Sequence, residues 1–326
     1  MRLVTGGAGP HAITAHTAIL ASVRFQRVLL IVNPVARTVS KPTLAVIEKA
    51  LSADFNLEVI ETKERGHAYE LAAQGVHDGL DLVVVFSGDG TINEVVNAMA
   101  GSETALGVLP GGATNIFARA LGLPVEPVEA TGVLIGKALD DDAFKLSLGR
   151  ADGRYFAVNC GAGVDAAAMT RLDEKFPKTK SKFDRAAFRA VAWELLVGYA
   201  GRAPDLELSI DGRPPQPSLS VMVGRTDPYT YYKGMGLRMT PEASLNAGLD
   251  VLSVRKLARR SVPRIAWQVF VSARHVQGRD IDYVHDASHV LVTASEPFPV
   301  QLDGDSLGAH RRLEIELARE ALWVVA

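Results

Sequence analysis

The chain has little of several features that would assign it to a specialised class of protein. Cys160 is its only cysteine, which excludes an intrachain disulfide and favours a reducing, cytoplasmic location. The formal net charge is −2 at pH 7, so no overall basic field exists, which argues against nonspecific nucleic-acid binding as the main activity. No segment approaches the ~18 consecutive apolar residues of a transmembrane helix, so any membrane contact is expected to be peripheral.

What is present fits a folded protein of two domains. The chain has 326 residues, of which 48% are hydrophobic, and this is enough for sizeable cores. Residues 1–24 lack the charged region and sustained apolar core of a signal peptide, and we expect them to form an N-terminal extension. The sequence leaves the oligomeric state open, and an oligomer is compatible with it.

The hydrophobic pattern changes once along the chain. Over residues 25–144, predicted strands alternate with predicted helices, as in an α/β domain with a parallel sheet. The strands are predicted at 27–32, 56–61, 81–86 and 105–109, and the helices at 41–51, 67–78, 91–99 and 114–121. Short strands then follow at 145–149, 155–160, 205–211, 218–224, 237–240, 249–255, 289–293 and 299–302. We therefore predict a second, β-rich domain over 145–314.

The first functional signal lies where the strand at 81–86 meets a helix, in the string Ser87-Gly88-Asp89-Gly90-Thr91. Its two glycines let the backbone approach a bulky anion, and the N–H groups of the helix N-terminus attract a phosphate. Asp89 would repel that phosphate unless a cation lay between them, so the motif favours Mg-ATP. A tight strand-to-helix turn capped by Thr91 is the structural alternative.

A second glycine-rich loop, Pro110-Gly111-Gly112-Ala113-Thr114-Asn115, repeats this layout after the strand at 105–109. Its glycines lack Cβ atoms, and its threonine and asparagine offer polar side chains to a ligand or to the helix N-terminus. The strand at 27–32 ends in Asn33-Pro34 and supplies a third loop. Because ligands gather beyond the carboxyl ends of parallel strands, we expect these loops at one edge of the sheet.

The order and spacing of these motifs resemble the diacylglycerol kinase family of lipid kinases, of which the sphingosine kinases are close relatives. The resemblance rests on Asn33-Pro34, Ser87 to Asn97, Pro110 to Arg119, Asn159-Cys-Gly-Ala-Gly-Val-Asp165, Pro241 to Asp250 and Leu302-Asp-Gly-Asp-Ser-Leu-Gly308. It extends over nearly everything from residue 27 onward. It implies an ATP-binding catalytic domain over 25–144, a β-sandwich-like lipid-substrate domain over 145–314, and a last strand near 315–326 that can return to the first domain.

The resemblance also implies roles for single residues. Asp305 aligns with a position where relatives usually carry glutamate, and it would accept the proton of the lipid hydroxyl; a surface β-turn is the alternative. In sphingosine kinases the aspartate that matches Asp89 is assigned as the base, whereas in the bacterial branch it belongs to a magnesium and water network, and we place Asp89 near the metal. Thr62 would contact the nucleotide and Arg37 a phosphate, with a helix-entry turn and a solvated loop arginine as the respective alternatives.

The full set of predicted site residues follows from these motifs. The predicted nucleotide-binding residues are Asn33, Pro34, Arg37, Thr62, Ser87, Gly88, Asp89, Gly90, Thr91, Asn93, Glu94, Gly111, Gly112, Ala113, Thr114, Asn115, Asp303 and Gly304. The predicted catalytic residue is Asp305, and the predicted metal contact is Asp89, through nucleotide-bound Mg²⁺ or through water. The expected cofactors are therefore ATP and Mg²⁺.

Three positions depart from the family pattern. Ser147 occurs where bacterial relatives often place an active-site aspartate, Ile116 replaces the aspartate usual in the second loop, and Ala247 replaces the aspartate of an Asn-Asp-Gly motif. The change at Ala247 removes the best oxygen ligand of a separate structural magnesium in the second domain, and so argues against such an ion there. The nucleotide-bound magnesium is still expected.

Two stretches, 171–193 and 255–279, mix cations with aromatic residues and are candidate contacts with a membrane surface. Amphipathic helices that pack their aromatic side on the core are the alternative. We predict an ATP-dependent lipid kinase, cytoplasmic and peripherally associated with membranes, that phosphorylates a hydroxyl of diacylglycerol or a similar lipid. The alternatives are a sphingosine-type kinase, a kinase for a soluble substrate such as NAD, and a noncatalytic nucleotide- or lipid-binding protein.

Overall fold

The computed structural model describes residues 24–175, 189–232 and 234–326. The first part alternates strands and helices. The strands are β1 (Arg27–Val32), β2 (Asn56–Glu61), β3 (Leu82–Ser87) and β4 (Ala105–Pro110), and the helices are α1 (Lys41–Asp54), α2 (His67–His77), α3 (Asp89–Met99), α4 (Ile116–Ala120) and α5 (Pro127–Leu139). These strands pair in parallel in the spatial order β2, β1, β3, β4.

Strands β1, β3 and β4 are buried on both faces, which explains why they are continuous apolar runs, whereas the edge strand β2 has exposed polar residues. Successive side chains of a strand point to opposite faces. Leu29 and Ile31 therefore pack with α2 and α3 on one side, whereas Leu30 and Val32 pack with α1 and α5 on the other. The carboxyl ends of the strands lie at one edge of the sheet, where the loops that follow β1, β3 and β4 begin.

The rest of the described chain consists mainly of antiparallel strands. They are β5 (Ala143–Ala151), β6 (Arg154–Phe156), β7 (Asn159–Ala162), β8 (Leu206–Ile210), β9 (Gln216–Ser218), β10 (Ser220–Gly224), β11 (Thr230–Tyr232), β12 (Met235–Leu237), β13 (Leu249–Val254), β14 (Ile281–Ala287), β15 (His289–Leu302) and β16 (Asp305–Val325). The helices are α6 (Val164–Lys175) and α7 (Val262–Val271), with a π-helix at Glu194–Tyr199. No helix in the described ranges is both long and apolar enough to cross a membrane.

The long strand β16 joins the two regions. It pairs with β15 and β5, and its last residues, Val324 and Val325, pair in parallel with Leu106 and Gly107 of β4. Across the described residues, fourteen strands thereby form one continuous sheet. The α/β region with its parallel sheet and the β-rich region confirm the predicted fold class, and the exact domain boundary at residue 145 stays a prediction.

Some predicted elements need correction. The strand predicted at 237–240 is wrong, because the strand there is β12, which ends at Leu237 and pairs with β11 in a separate hairpin. The strands predicted at 289–293 and 299–302 are parts of the single strand β15, which has an irregularity between Thr293 and Phe298. The stretch 255–279 contains α7 between short 3-10 turns. Of the stretch 171–193, residues 176–188 lie outside the described part.

Candidate functional site

The loops that follow β3 and β4 are in backbone contact, and glycines make this contact possible. A Cβ atom on Gly111 would lie 2.8 Å from Ser87 Cα, and one on Gly112 would lie 2.7 Å from Gly88 Cα. The N–H of Gly111 donates to Ser87 O at 2.7 Å. Gly90 differs, because it is exposed and a Cβ there would meet nothing within 4 Å. Open space therefore lies beside the first turn of α3.

Asp89 connects the first loop to the N-terminus of α4. Its Oδ2 accepts hydrogen bonds from Ile116 N and Thr114 Oγ1, and its Oδ1 accepts one from Phe117 N, each at 3.1 Å. Burial raises the pKa of Asp89 above its usual value, while the hydrogen bonds from Phe117, Ile116 and Thr114 act to lower it. The N–H groups at the start of α4 thus stabilise part of the negative charge of Asp89, for which the sequence had predicted only a cation as partner.

The loop after β1 is tied to both of the others. Asn33 Nδ2 donates to Thr91 Oγ1 at 3.0 Å. The N–H of Thr38 donates to Gly111 O, also at 3.0 Å. The three predicted loops are therefore brought together at one edge of the sheet.

Asn115 shapes the second loop from within. Its φ of 48° lies in the left-handed region, which asparagine tolerates better than most residues. Its Oδ1 accepts a hydrogen bond from Gly112 N at 2.7 Å. Because the residue is also buried, its evident role is to fix the loop conformation.

Helix α3 links these loops to the second region of the chain. Asp89 lies in its first turn, and the buried Asn93 lies one turn later. Asn93 Nδ2 donates to Asp303 Oδ2 at 2.8 Å and to Tyr155 O at 3.1 Å. The helix that begins at the predicted phosphate loops therefore holds the Asp303-Gly304-Asp305 turn directly.

Asp303 fixes that turn through its own carboxylate. Besides Asn93, it accepts hydrogen bonds from the backbone N–H groups of Ala157, Val158 and Asn159, at 2.8 to 3.0 Å. Burial raises the pKa of Asp303 to about 6, while these donors act in the opposite direction. With these donors engaged, Asp303 acts as a clamp between α3, β7 and the turn.

Asp305 lies two residues further on and faces a loop of the first region. Its Oδ2 is 2.7 Å from a terminal nitrogen of Arg65, and its side chain is 37% exposed. Arg65 belongs to the segment between β2 and α2, in which the N–H of Thr62 donates to Val32 O at 2.8 Å and His67 Nδ1 accepts from Lys63 N at 3.1 Å. The segment that contains Thr62 therefore contacts the Asp303 turn through the Arg65–Asp305 ion pair.

The remaining predicted residues lie in or beside these loops and the Asp303 turn. Pro34, Arg37 and Ala113 are exposed, and Glu94 is half-buried on α3. Gly304 has a φ of 86° and donates its N–H to Gln301 Oε1 at 2.9 Å. Within the part of the chain that the structure describes, no group of three or more His, Cys, Asp or Glu side chains is arranged to hold a metal ion.

Comparison with known proteins places this arrangement in a family. Residues 27–144 match the model of the diacylglycerol kinase catalytic domain, and residues 158–326 match the YegS C-terminal NAD kinase beta sandwich-like domain. A diacylglycerol kinase from Bacillus subtilis (strain 168) is 31% identical over 288 residues, which cover 86% of this chain and 90% of that protein. The chain belongs to the diacylglycerol kinase family. The predictions of this family and of a phosphotransferase are thereby confirmed.

Other members of the diacylglycerol kinase family extend the comparison. A diacylglycerol kinase from Staphylococcus saprophyticus is 26% identical over 286 residues, covering 86% of this chain and 89% of that protein. The crystal structure of a diacylglycerol kinase from Bacillus anthracis (strain Sterne) has a TM-score of 0.68 at 25% identity, over 92% of this chain and 97% of that one. A further crystal structure from that organism, with a TM-score of 0.74 at 24% identity over 94% and 97% of the two chains, shows the shared fold alone.

Two of the departures from the diacylglycerol kinase pattern have structural uses in this chain. Ile116 donates its N–H to Asp89, and its side chain packs against the core on the α2 and α3 side of the sheet. Ser147 Oγ accepts a hydrogen bond from Glu320 N at 3.1 Å, within the pairing of β5 with β16. Neither position supplies the negative charge that the family pattern carries there.

Sequence reasoning did not single out Asp165, which the structure places beside the same turn of this kinase. Its side chain is buried, and Oδ2 accepts from Gln301 Nε2 at 2.9 Å. The other oxygen, Oδ1, has no hydrogen-bond partner among the described residues. Gln301 also accepts from Gly304, so the two side chains connect the start of α6 to the Asp303 turn. The string Asn159 to Asp165 was a usable signal, because its aspartate follows a buried strand after only Gly163 and Val164.

Replacing Asp165 with asparagine is expected to reduce the pH dependence of stability. Burial raises the pKa of Asp165 to about 6 from 3.8. Between these values the folded state binds more protons than the unfolded state, so the free energy of unfolding falls as pH rises, by up to about 3 kcal/mol. Denaturant unfolding measured at about pH 4 and at about pH 7 should show a smaller fall in the free energy of unfolding for Asp165→Asn. The same pH slope in both proteins would contradict the prediction.

Proposed function

We propose that this member of the diacylglycerol kinase family transfers the γ-phosphate of ATP to a hydroxyl of diacylglycerol or a similar lipid. Membership of the family supports lipid kinase activity in general terms. The observation that carries the finer proposal is the connection made by α3. This helix begins at the two glycine-rich loops with Asp89 and reaches the Asp303 turn through Asn93. One helix therefore fixes the position of the proposed phosphate loops relative to the turn that carries Asp305.

We assign the nucleotide to the first region, over 25–144, and the lipid to the second, over 145–314. The three loops after β1, β3 and β4 offer backbone N–H groups, and the first turn of α3 is open to solvent at Gly90. Such N–H groups are the donors that phosphates favour. The buried hydroxyl of Ser87 has no hydrogen-bond partner among the described residues, which leaves it available to a ligand.

Asp89 fits a magnesium ion carried by the nucleotide. Its Oδ2 already accepts two hydrogen bonds, whereas Oδ1 accepts one and keeps a lone pair for a hard cation or its water. When bound, the ion neutralises negative charge on the phosphate oxygens. Asp89, fixed by α4, would hold it directly or through water.

Asp305 is the proposed general base. It accepts the proton of the lipid hydroxyl as that oxygen bonds to the γ-phosphorus and the bond to the β-phosphate oxygen of ADP breaks. The Asp303 clamp fixes the turn that carries Asp305, and such positioning is the main way in which proteins speed phosphoryl transfer. The side chain is partly exposed, so a substrate hydroxyl can reach it.

The test is transfer of labelled γ-phosphate from ATP and magnesium to diacylglycerol, monoacylglycerol, ceramide and sphingosine in mixed micelles, with NAD and fructose 6-phosphate as soluble acceptors. Labelled diacylglycerol product is the expected result, and Asp305→Asn protein purified in parallel controls for contaminating kinases. Label on sphingosine would instead support a sphingosine-type kinase. Label on NAD or fructose 6-phosphate, or ATP binding with no product, would refute the lipid kinase proposal.

We further propose that α7 and the hairpin beside it touch the membrane surface while the lipid is bound. Trp267 is 67% exposed, Val271 58% and Met235 54%. The N–H of Arg238 donates to Val269 O at 3.1 Å, which holds the end of β12 against α7. Exposed cations lie on or next to the same helix, at Arg264 and Arg274. Apolar tips rimmed by arginine suit an anionic interface, where each cation contributes about 1 kcal/mol.

Trp267→Ser is expected to weaken binding to anionic vesicles about tenfold, because the variant lacks the indole that would be buried in the apolar part of the interface. Co-sedimentation with vesicles of phosphatidylglycerol and phosphatidylcholine, at low and high salt, measures the effect. Val46→Ser, at an exposed apolar position of α1, is the matched control and should bind as wild type does. Equal binding of all three proteins, or binding that salt leaves unchanged, would contradict the proposed surface.

A further inference from the structure

The guanidinium group of Arg225 is entirely buried. Every acceptor to which it donates a hydrogen bond is a backbone carbonyl oxygen. The side chain is 0% exposed and follows the end of β10. Its two terminal nitrogens donate to Ser244 O (3.4 Å), Ala247 O, Gly248 O (2.6 Å), Leu245 O (2.8 Å) and Ser147 O (2.8 Å). Carbonyl oxygens of the 244–248 loop and of β5 therefore converge on one positive charge.

The charge of Arg225 is compensated at a distance. Among the described residues, no carboxylate oxygen lies within ion-pair distance of it. Burial lowers the pKa of Arg225 to about 10, while Asp250 and Asp286 act to raise it, so the group is a cation at neutral pH. Asp286 is itself bound to the loop, because its Oδ1 accepts from Gly248 N at 2.6 Å.

Converging carbonyl oxygens with acidic groups behind them are the surroundings that a hard metal ion takes in proteins. Buried carbonyl groups need donors, and here the protein supplies them from its own side chain. Ala247 cannot offer the carboxylate that a divalent ion would prefer at that position. The residues present therefore do not fit a structural magnesium in this loop.

We propose that Arg225 is a built-in cation, which takes the place of a structural metal ion and makes the folding of the second region independent of divalent cations. The inference concerns stability and stands apart from the lipid kinase proposal. Leu245, whose carbonyl Arg225 holds, packs in the core of the first region together with Phe117 of α4. The guanidinium thereby fixes a loop that connects the β-rich region to the helix that Asp89 caps.

The first test is the melting temperature of nucleotide-free wild-type protein in EDTA, in magnesium chloride and in calcium chloride at equal ionic strength. A bound structural ion stabilises the folded state by mass action. We expect the three melting temperatures to agree to within about 1 °C. A rise of several degrees in magnesium or calcium, reversed by EDTA, would overturn the proposal.

The second test replaces the cation. Arg225→Met keeps much of the side-chain volume but leaves the carbonyl groups without donors, and it should lower the melting temperature by about 5–10 °C. Arg225→Lys, which retains a charge with fewer donors, should fall between Arg225→Met and wild type. Arg202→Met, at a half-exposed arginine paired with Asp205, is the control and should change it little. An Arg225→Met protein as stable as wild type would overturn the proposed role.

The third test asks whether a free cation restores the loop. Arg225→Ala leaves space where the guanidinium lay, and millimolar guanidinium chloride should raise its melting temperature, whereas equal sodium chloride should not. Wild type and Arg202→Met should show no such rise. No rescue of a folded Arg225→Ala protein by guanidinium would overturn the proposal that a cation holds these carbonyl groups. If that variant does not fold, the partial stability of Arg225→Lys and the metal independence of wild type still decide the question.

Discussion

Asp305→Asn is expected to lower kcat by about 10²–10⁴-fold, the usual contribution of a general base. The asparagine keeps the size of the side chain but cannot take a proton from a lipid hydroxyl. The affinity for ATP should change little, because the three loops that we assign to the phosphates do not include this residue. Single-turnover transfer of labelled phosphate and equilibrium binding of ATP, measured on the same protein, separate the two quantities.

The ion pair between Asp305 and Arg65 offers a second explanation for such a loss, and matched variants distinguish it. Arg65→Met breaks the pair while it leaves the carboxylate in place, so it should retain most of the activity if Asp305 is the base. Asp305→Glu should retain a measurable share, because it restores a carboxylate of the kind that relatives usually carry. Equal activity of Asp305→Asn and wild type would remove Asp305 as base. A loss in Arg65→Met as large as that in Asp305→Asn would assign the effect to the ion pair.

The parallel half of the fold was predictable because its strands are short, apolar and bounded by residues that end strands. Strand β1 and strand β2 have the predicted limits. The start of α3 was predicted two residues late, at Thr91, because Gly88 precedes the helix in extended conformation and Asp89 already lies in its first turn. The boundaries of this region thus follow local chemistry to within a few residues.

The long antiparallel strands were less accessible. Charged residues such as Arg312 and Glu314 interrupt the apolar pattern of β16, so its 21 residues did not read as one strand. Pairing with β15 on one side and β5 on the other holds it extended. Strand β15 directly precedes β16 across the Asp303 turn, whereas β5 and β4 lie far earlier in the chain, and a local pattern does not encode such distant pairings.

In the candidate site, too, the positions of the loops could be predicted, but the long-range contacts of single side chains could not. The expectation that polar loops would meet at the carboxyl ends of the strands agrees with the contact between Asn33 and Thr91. The partners of Asp89, by contrast, lie 25, 27 and 28 residues further along the chain, and no motif showed that its carboxylate would cap α4. The burial of Arg225 among carbonyl groups was equally hidden, since it depends on how the 244–248 loop closes over β10.

Asp89→Asn is expected to lower kcat/KM for Mg-ATP about a hundredfold, the scale of losing one group that acts on developing or bound charge. Two causes combine in this change. The variant loses the negative charge that would hold the metal or its water. It also turns an NH₂ group toward one of the backbone N–H donors of Ile116 and Phe117, so one end of the cap becomes repulsive.

The two causes of the Asp89→Asn defect have different signatures. Loss of the cap should lower the melting temperature without any nucleotide, by a few degrees for about 1 kcal/mol. Loss of a metal contact should raise the magnesium concentration needed for half-maximal activity. Thr114→Val, which removes one donor to Asp89 and leaves its charge, is the matched control and should change stability more than magnesium dependence. Unchanged kcat/KM and unchanged stability in Asp89→Asn would contradict both roles, whereas a stability loss with normal magnesium dependence would make Asp89 a purely structural residue that shapes the second phosphate loop.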